Sequence, residues 1–257
     1  QATDMRVALY RPFTKQILNN TEGMIYLPAI IRRFFPEPDS KNIGILVTGK
    51  SATYDFKALS TDDIPELHTL STGQYFPRYT YREVEEGTLD LNGEGNRFER
   101  IDNITDQTLE DYREHYGHGV RKDDIFYYVY GLLHSPTYRE QFAIDLTKDL
   151  PRIPKVDAPE DFWAFSQAGR ELADLHTGYE TVEPYPLTIE VDVPSDGRDE
   201  FDYYRVERMR NIGGNRSAGF TGIKYNNHIT ITDIPIEAHD YMLGSRSALG
   251  WLLDRYQ

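Results

Sequence analysis

The sequence predicts an α+β fold with β-strand regions at both ends, a central helical unit and a C-terminal helix. Three observations carry this reading. Short β-branched or alternating runs occur in the first hundred residues and again after residue 183, helical periodicity is confined to the stretch between them, and the last dozen residues carry one more apolar stripe. The expected parts are residues 1–104, an N-terminal α/β part, residues 105–182, the helical unit, and residues 183–257, a β-rich part with the closing helix. Alternating βαβ units are not expected.

Ile43-Gly44-Ile45-Leu46-Val47 is a short β-branched run between polar residues. Gln74 to Tyr81 is aromatic-rich, with a proline that suits an edge strand. Gly87 to Arg100, with Gly87, Gly93, Gly95 and several acids, reads as a turn or hairpin tip. Asp123-Asp124 then favours a helix N-terminus, followed by Ile125, Tyr128, Val129, Leu132 and Leu133 on one face. Ser135-Pro136 supplies an N-cap and a first-turn proline for a second helix, whose Tyr138, Phe142, Leu146 and Leu150 recur every four residues until Pro151. A third helix spans about residues 160–179, with Phe162, Phe165, Gly169, Leu172, Leu175 and Tyr179 as its stripe and Gly178 placed to stop it. Leu187, Ile189, Val191 and Val193 alternate with Thr188, Glu190 and Asp192, predicting a half-buried strand, and Ile229 to Thr232 makes another. Residues 245–256 give a closing helix with Leu249, Leu252, Leu253 and Tyr256 inward.

Composition narrows the function. The 257 residues contain no cysteine, which removes disulfides, thiolate metal sites and cysteine nucleophiles together and fits a cytoplasmic setting. No apolar run approaches the roughly 20 residues a membrane span requires, and no signal peptide is visible, so no membrane partner is expected. A net charge of −14 argues against nucleic acid when taken whole. The distribution changes that conclusion. Residues 1–57 carry +3 and residues 201–257 carry +1, whereas residues 58–124 and 125–200 carry −9 each. Within the last segment, Arg205, Arg208, Arg210, Arg216 and Lys224 face Glu207 alone over residues 205–224. An acidic middle between neutral-to-basic ends directs a polyanion to one face, or is an ordinary solvated surface.

Two catalytic patterns are decoys by this reading. Gly44 to Ser51 satisfies the letters of the P-loop, but its variable positions are Ile-Leu-Val-Thr, a strand where a phosphate-wrapping loop is needed. Pro38-Asp39, then fifteen residues, then Asp55-Phe56-Lys57 fits the loose pattern of a Mg²⁺-dependent nuclease; residues 36–40 read more simply as a turn. His115 and His118 flank a glycine at a helix end, a poor start for a metal site. No catalytic residue and no metal ligand is assigned.

Several segments occur in a recognisable order: Tyr10-Arg11-Pro12-Phe13, Val47-Thr48-Gly49-Lys50, Ile64-Pro65-Glu66-Leu67-His68, Phe76-Pro77-Arg78-Tyr79, then Asp124 through Arg139, Ile234-Pro235 and Tyr241 through Gln257. Together they resemble the C-terminal target-recognition domain of type ISP restriction-modification enzymes, over nearly the whole chain. In that family one polypeptide carries a nuclease, a helicase-like ATPase, a coupler, an adenine methyltransferase and this domain. The resemblance implies a noncatalytic specificity domain that reads a short double-stranded DNA site for phage defence. It also implies that S-adenosylmethionine, ATP and Mg²⁺ serve the parent enzyme and that this chain holds no cofactor. The methyltransferase and the other domains of the same polypeptide are the implied partners, and the chain is expected to be monomeric. One departure is Gly244-Ser245-Arg246, which stands where an Asn-Gly-Arg or Gly-Gly type of turn is expected.

The residue types that read DNA concentrate in two places. Arg and Lys suit guanine O6/N7, Asn and Gln suit adenine N6/N7, and Ser and Thr suit phosphates. The first place is Lys50, Ser51, Thr53 and Lys57; the second is Arg208, Arg210, Asn211, Asn215, Arg216, Ser217, Lys224, Tyr225, Asn226 and Asn227. The second is favoured, because Gly213, Gly214 and Gly219 would allow its backbone to approach a groove closely. At least one of Arg210, Asn211 and Arg216 is expected to read a base. Arg78 beside Tyr79 and Arg32-Arg33 are secondary phosphate candidates, and Arg11 is read as structural or interdomain. Two other classes remain open: a nuclease using Asp39, Asp55 and Lys57, and a protein-interaction module that docks through its acidic helical face.

Overall fold

Arg6 sets the first strand the wrong way round for a simple alternating pattern. In β1 (Met5–Arg11) Met5 and Val7 are exposed and Arg6 is buried. Its guanidinium donates to Asp4 at 2.7 and 2.9 Å and to the carbonyl oxygens of Phe35, Pro36 and Glu37, so a planar cation with five donors gathers three successive carbonyls. The computed structural model describes residues 4–21, 28–50, 55–84, 97–192, 199–215 and 218–256. They fall into two units, one of residues 1–10 and 15–181, the other of residues 11–14 and 182–257.

In the first unit β1 lies between β2 (Thr14–Asn19) and a short parallel strand, with α1 (Pro28–Phe34) following β2. The β-branched run forms β3 (Gly44–Val47), buried throughout. It is the centre of a three-stranded antiparallel sheet between β4 (Ala58–Thr61) and β6 (Gln74–Pro77), with β5 (Ile64–Pro65) being the partner of β1. Next come β7 (Tyr79–Glu83) and β8 (Phe98–Asp102), which form a two-stranded antiparallel ribbon. The predicted hairpin tip at residues 87–100 falls largely outside the described residues; its last residues, from Phe98, are strand.

The helices are α2 (Asp106–Tyr116), α3 (Lys122–His134), α4 (Pro136–Gln141), α5 (Ala143–Lys148) and α6 (Pro159–Gly178). Helix α2 is capped by Thr105, whose hydroxyl accepts from Thr108 N at 3.1 Å. The single helix expected after Ser135 is two, because Phe142 leaves helical geometry at φ −106 and ψ 17. Gly131 of α3 and Gly169 of α6 bring the two backbones together: a Cβ on Gly169 would lie 2.0 Å from Tyr127 O. This is the closeness that small residues at a helix crossing permit. The core joins Ile45, Val47 and Ala58 of the sheet to Tyr112, Tyr116, Ile125, Tyr128 and Phe162 of the helices. Tyr130 fastens them further, since its hydroxyl accepts from Ser60 N at 2.8 Å and is hydrogen-bonded to His176 Nδ1.

In the second unit, β9 (Thr188–Val191) and α7 (Glu200–Tyr204) precede β10 (Arg210–Asn215), β11 (Gly219–Lys224) and β12 (Ile229–Thr232). The sheet order is β10-β11-β12-β9, all antiparallel. The strand predicted to be half-buried is the exposed edge, with Ile189 and Val191 at 60% and 49% exposure. A 3₁₀ turn over Ile236–His239, the tiny strands β13 (Met242–Leu243) and β14 (Arg246–Ser247), and α8 (Ala248–Arg255) complete the unit. Gly244 makes the β13–β14 turn at φ +70, a conformation glycine enters without strain. Ser247 caps α8 through Gly250 N at 3.2 Å, and Leu253 packs with Phe220, Ile223 and Ile234. Tyr256, expected inward, is exposed, while Trp251 is buried and donates to Leu243 O at 3.1 Å. Among the described residues, no helix is long and apolar enough to cross a membrane.

Candidate nucleic-acid interface

The register of β10 against β11 places Arg210 directly opposite Lys224, and that of β11 against β12 places Lys224 opposite Thr230. Thr230 in turn faces Glu190 of β9. Residues opposite one another in an antiparallel ladder point to the same side, so Arg210, Lys224, Thr230 and Glu190 form one row across the sheet. The neighbouring row, Asn211, Ile223, Ile231 and Ile189, points to the other side, toward the core at Ile223 and Ile231.

Arg210 and Lys224 are exposed, and neither makes an ion pair or side-chain hydrogen bond among the described residues. Their Cβ atoms stand about 5 Å apart, a like-charged cross-strand pair that costs stability. Glu190, the acid of that row, is two strands from Lys224, roughly 10 Å at the usual strand spacing. Arg208, exposed and two residues before β10, also has no carboxylate partner among the described residues. In a chain with 42 acidic residues, two uncompensated cations on the sheet and a third just before it form a local positive site.

The other residues of this region have different duties. Asn226, a candidate DNA reader by its side-chain type, is buried. Its Nδ2 donates to Tyr203 O at 2.6 Å and to Arg205 O at 3.1 Å, and its Oδ1 accepts from His228 N and Ile229 N at 2.8 and 2.9 Å. With both amide protons and its oxygen engaged, it holds the β11–β12 turn. Tyr225 donates its hydroxyl to Tyr204 O at 2.9 Å, and burial raises its pKa above the usual phenol value. Asn227 donates to Glu207 at 3.2 Å, Asn211 donates to Gly214 O at 2.9 Å, and Asn215 Oδ1 accepts from Ala218 N at 2.8 Å. Gly213 and Gly214 take φ of +68 and +150 and lie against Thr221 and Gly219, so their first role is to let the hairpin turn. Arg216 and Ser217 lie outside the described residues.

The candidates in the first unit separate further. Lys57 is buried, its backbone paired with Thr48. Lys50 pairs with Asp149 at 2.8 Å, holding that carboxyl below its usual range. Ser51 and Thr53 lie outside the described residues. Arg78, expected on the surface, is buried at 4% exposure between Asp102 and Asp123, which fits a structural cation. Arg32 and Arg33 are exposed on the last turn of α1. The P-loop letters form β3, as read from the sequence, and a Cβ on Gly49 would meet Thr72 O at 2.0 Å. Of the nuclease pattern, Asp39 and Asp55 are exposed while Lys57 is buried. Among the described residues no three His, Asp or Glu side chains are grouped to hold a metal.

The model of the type ISP C-terminal specificity domain matches residues 1–257. The chain belongs to this family. Solved structures agree in fold: the type ISP enzyme LlaBIII bound to DNA is 28% identical with a TM-score of 0.81, and covers 100% of this chain. The DrdV–DNA complex seen by cryo-EM is 32% identical over 98% of this chain with a TM-score of 0.80. A nuclease-deletion mutant of the type ISP enzyme LlaGI, in complex with a DNA substrate mimic, is 32% identical over 99% with a TM-score of 0.74. The specificity domain spans 24% of the DrdV chain, 16% of LlaBIII and 17% of the LlaGI mutant. No curated protein matched the sequence.

Proposed function

We propose that this specificity domain recognises a short sequence in double-stranded DNA, and that the exposed row of Arg210 and Lys224 is its reading surface. The observation that carries this is the cross-strand pairing of two cations with no carboxylate to balance them, in a chain whose net charge is −14. Like charges so placed cost folding free energy, and an anion that neutralises both returns it on binding. A β-ribbon fits the major groove, where an arginine or lysine addresses guanine O6/N7. Arg208 supplies a phosphate contact beside them. That three solved relatives of the fold are DNA complexes supports the same reading.

The domain itself performs no chemistry in this account. It delivers the site to an adenine methyltransferase and to an ATP-driven nuclease on the same polypeptide, and S-adenosylmethionine, ATP and Mg²⁺ act in those parts. The domain works in the cytoplasm as one copy per enzyme.

Fluorescence anisotropy with a labelled randomised duplex, without metal or nucleotide, tests the surface. Arg210→Ala and Lys224→Ala should each weaken binding by roughly tenfold, the scale of one charge-assisted contact, with melting temperatures at or above wild type. Wild-type affinity in both variants would remove the assignment.

A further inference from the structure

The β7–β8 ribbon of the first unit carries four arginines on or beside its strands, and their partners divide them. Arg78 is held by Asp102 and Asp123, Arg82 by Glu99, and Arg97 by Glu83. Arg100 is exposed and has no carboxylate partner among the described residues. Its guanidinium carbon instead lies 4.5 Å from the centroid of the Tyr79 ring, which also carries the Arg78 guanidinium at 4.6 Å. The register sets Arg100 opposite Tyr81 and Tyr79 opposite Asp102, so Arg100, Tyr79 and Tyr81 share one face of the ribbon. Two acids share that face and both are occupied: one oxygen of Asp102 binds Arg78 and accepts from Ile104 N at 2.8 Å while Lys122 lies 4.0 Å from the other, and Glu83 pairs with Arg97 at 2.7 Å.

A guanidinium stacked on an aromatic ring keeps its plane fixed and its N–H donors outward, so little rotamer freedom is lost when it grips a flat, two-oxygen acceptor. A phosphodiester presents that acceptor, and the adjacent tyrosine hydroxyls are donors of the kind that bind DNA backbone. Among the described residues of the ribbon, no amide side chain suited to a base edge shares the face with Arg100. We infer that Arg100, stacked on Tyr79, is a second DNA contact, in the first unit, and that it holds a backbone phosphate without reading sequence. This rests on the duplex-recognition reading above and adds a site outside the hairpin to which that reading is confined.

The test measures duplex affinity of the full chain against salt, for a duplex enriched by the wild type and a scrambled one of equal length. Arg100→Ala should weaken both by the same factor, roughly tenfold near 0.1 M salt, and reduce the slope of log K against log salt by about one. Tyr79→Leu, which keeps the charge and removes the platform, should weaken both duplexes with the slope retained. Unchanged melting temperatures for Arg100→Ala would show that the loss is not one of folding. Wild-type affinity and slope in Arg100→Ala would overturn the inference while Arg210→Ala still tested the reading surface independently. Loss confined to the enriched duplex would make Arg100 a base reader and overturn the phosphate assignment. No duplex binding by the wild type would refute both readings together.

Discussion

Acidification should destabilise the first unit through two buried imidazoles. His134 and His176 lie 6.1 Å apart, ring to ring, where α3 and α6 meet the sheet. Burial pushes His134 down to about 4, with the Arg139 charge acting in the same direction. Burial, and then the neighbouring His134, pushes His176 down to about 3. Both rings are therefore neutral in the native state and take up a proton on unfolding near pH 6.5. The unfolded chain binds more protons between these values, so stability is fully present above pH 6.5 and is lost as pH falls. At pH 5 each ring accounts for about 2 kcal/mol of loss relative to pH 7.5, and both together for about 4 kcal/mol. For a chain of this size that is a fall of roughly 10 °C in melting temperature. Asp4, Asp106 and Asp149, whose pKa values are lowered by their Arg or Lys partners, titrate below this window and do not mimic the effect. Differential scanning fluorimetry of wild type and His134→Leu from pH 7.5 to 5 measures it. The variant should lose about half of the pH dependence whatever its absolute stability. Parallel curves for the two proteins would refute the reasoning.

Three further outcomes follow from the packing and the decoys. Gly169→Ala sets a methyl group 2.0 Å from Tyr127 O and forces α3 from α6, which should cost about 3 kcal/mol and be read by urea unfolding. Arg78→Ala removes a buried cation whose carboxylates are themselves partly solvated, so it should cost about 2 to 3 kcal/mol and leave the salt slope of DNA binding as in wild type. Equilibrium dialysis should find no saturable ATP binding by the chain that Lys50→Ala abolishes, because the residues 44–47 that mimic a P-loop are strand β3.

What the sequence made legible was what local pattern controls. Strand β3 announced itself by β-branched residues and α3 by an apolar stripe that faces the core; of the α6 stripe, Phe162 and Gly169 are buried, Phe165 and Leu172 partly so, and Leu175 is exposed. The pattern misled where tertiary pairing took over. Ile189 and Val191, expected half-buried, sit outside because their strand has no neighbour on one edge, and no local pattern signals that Arg6 is held inside by carbonyl oxygens 30 residues away. Helix α2 fell inside the expected helical unit but was not assigned as an element of its own, although Leu109, Tyr112 and Tyr116 lie at the spacing of one face and Thr105 is a cap. The same division holds at the candidate site. Arg210 and Lys224 were both nominated by type, but only strand register makes them neighbours. Adjacency in the chain pointed to Arg78 with Tyr79, whereas the partner that stacks on Tyr79 from the exposed surface is Arg100, brought in by a strand pairing across a long hairpin. Asn226 shows the converse: its side chain has the chemistry to read adenine, and the turn it holds consumes all of it.

The claim that matters most is that the β10–β11 surface selects a DNA sequence. Sequencing the duplexes retained by the chain from a randomised pool, in parallel with Arg210→Ala/Lys224→Ala, tests it directly at two salt concentrations. The account predicts one short enriched site for wild type, weakening with salt, and loss of that enrichment in the double variant. The same site enriched equally by both proteins would contradict it.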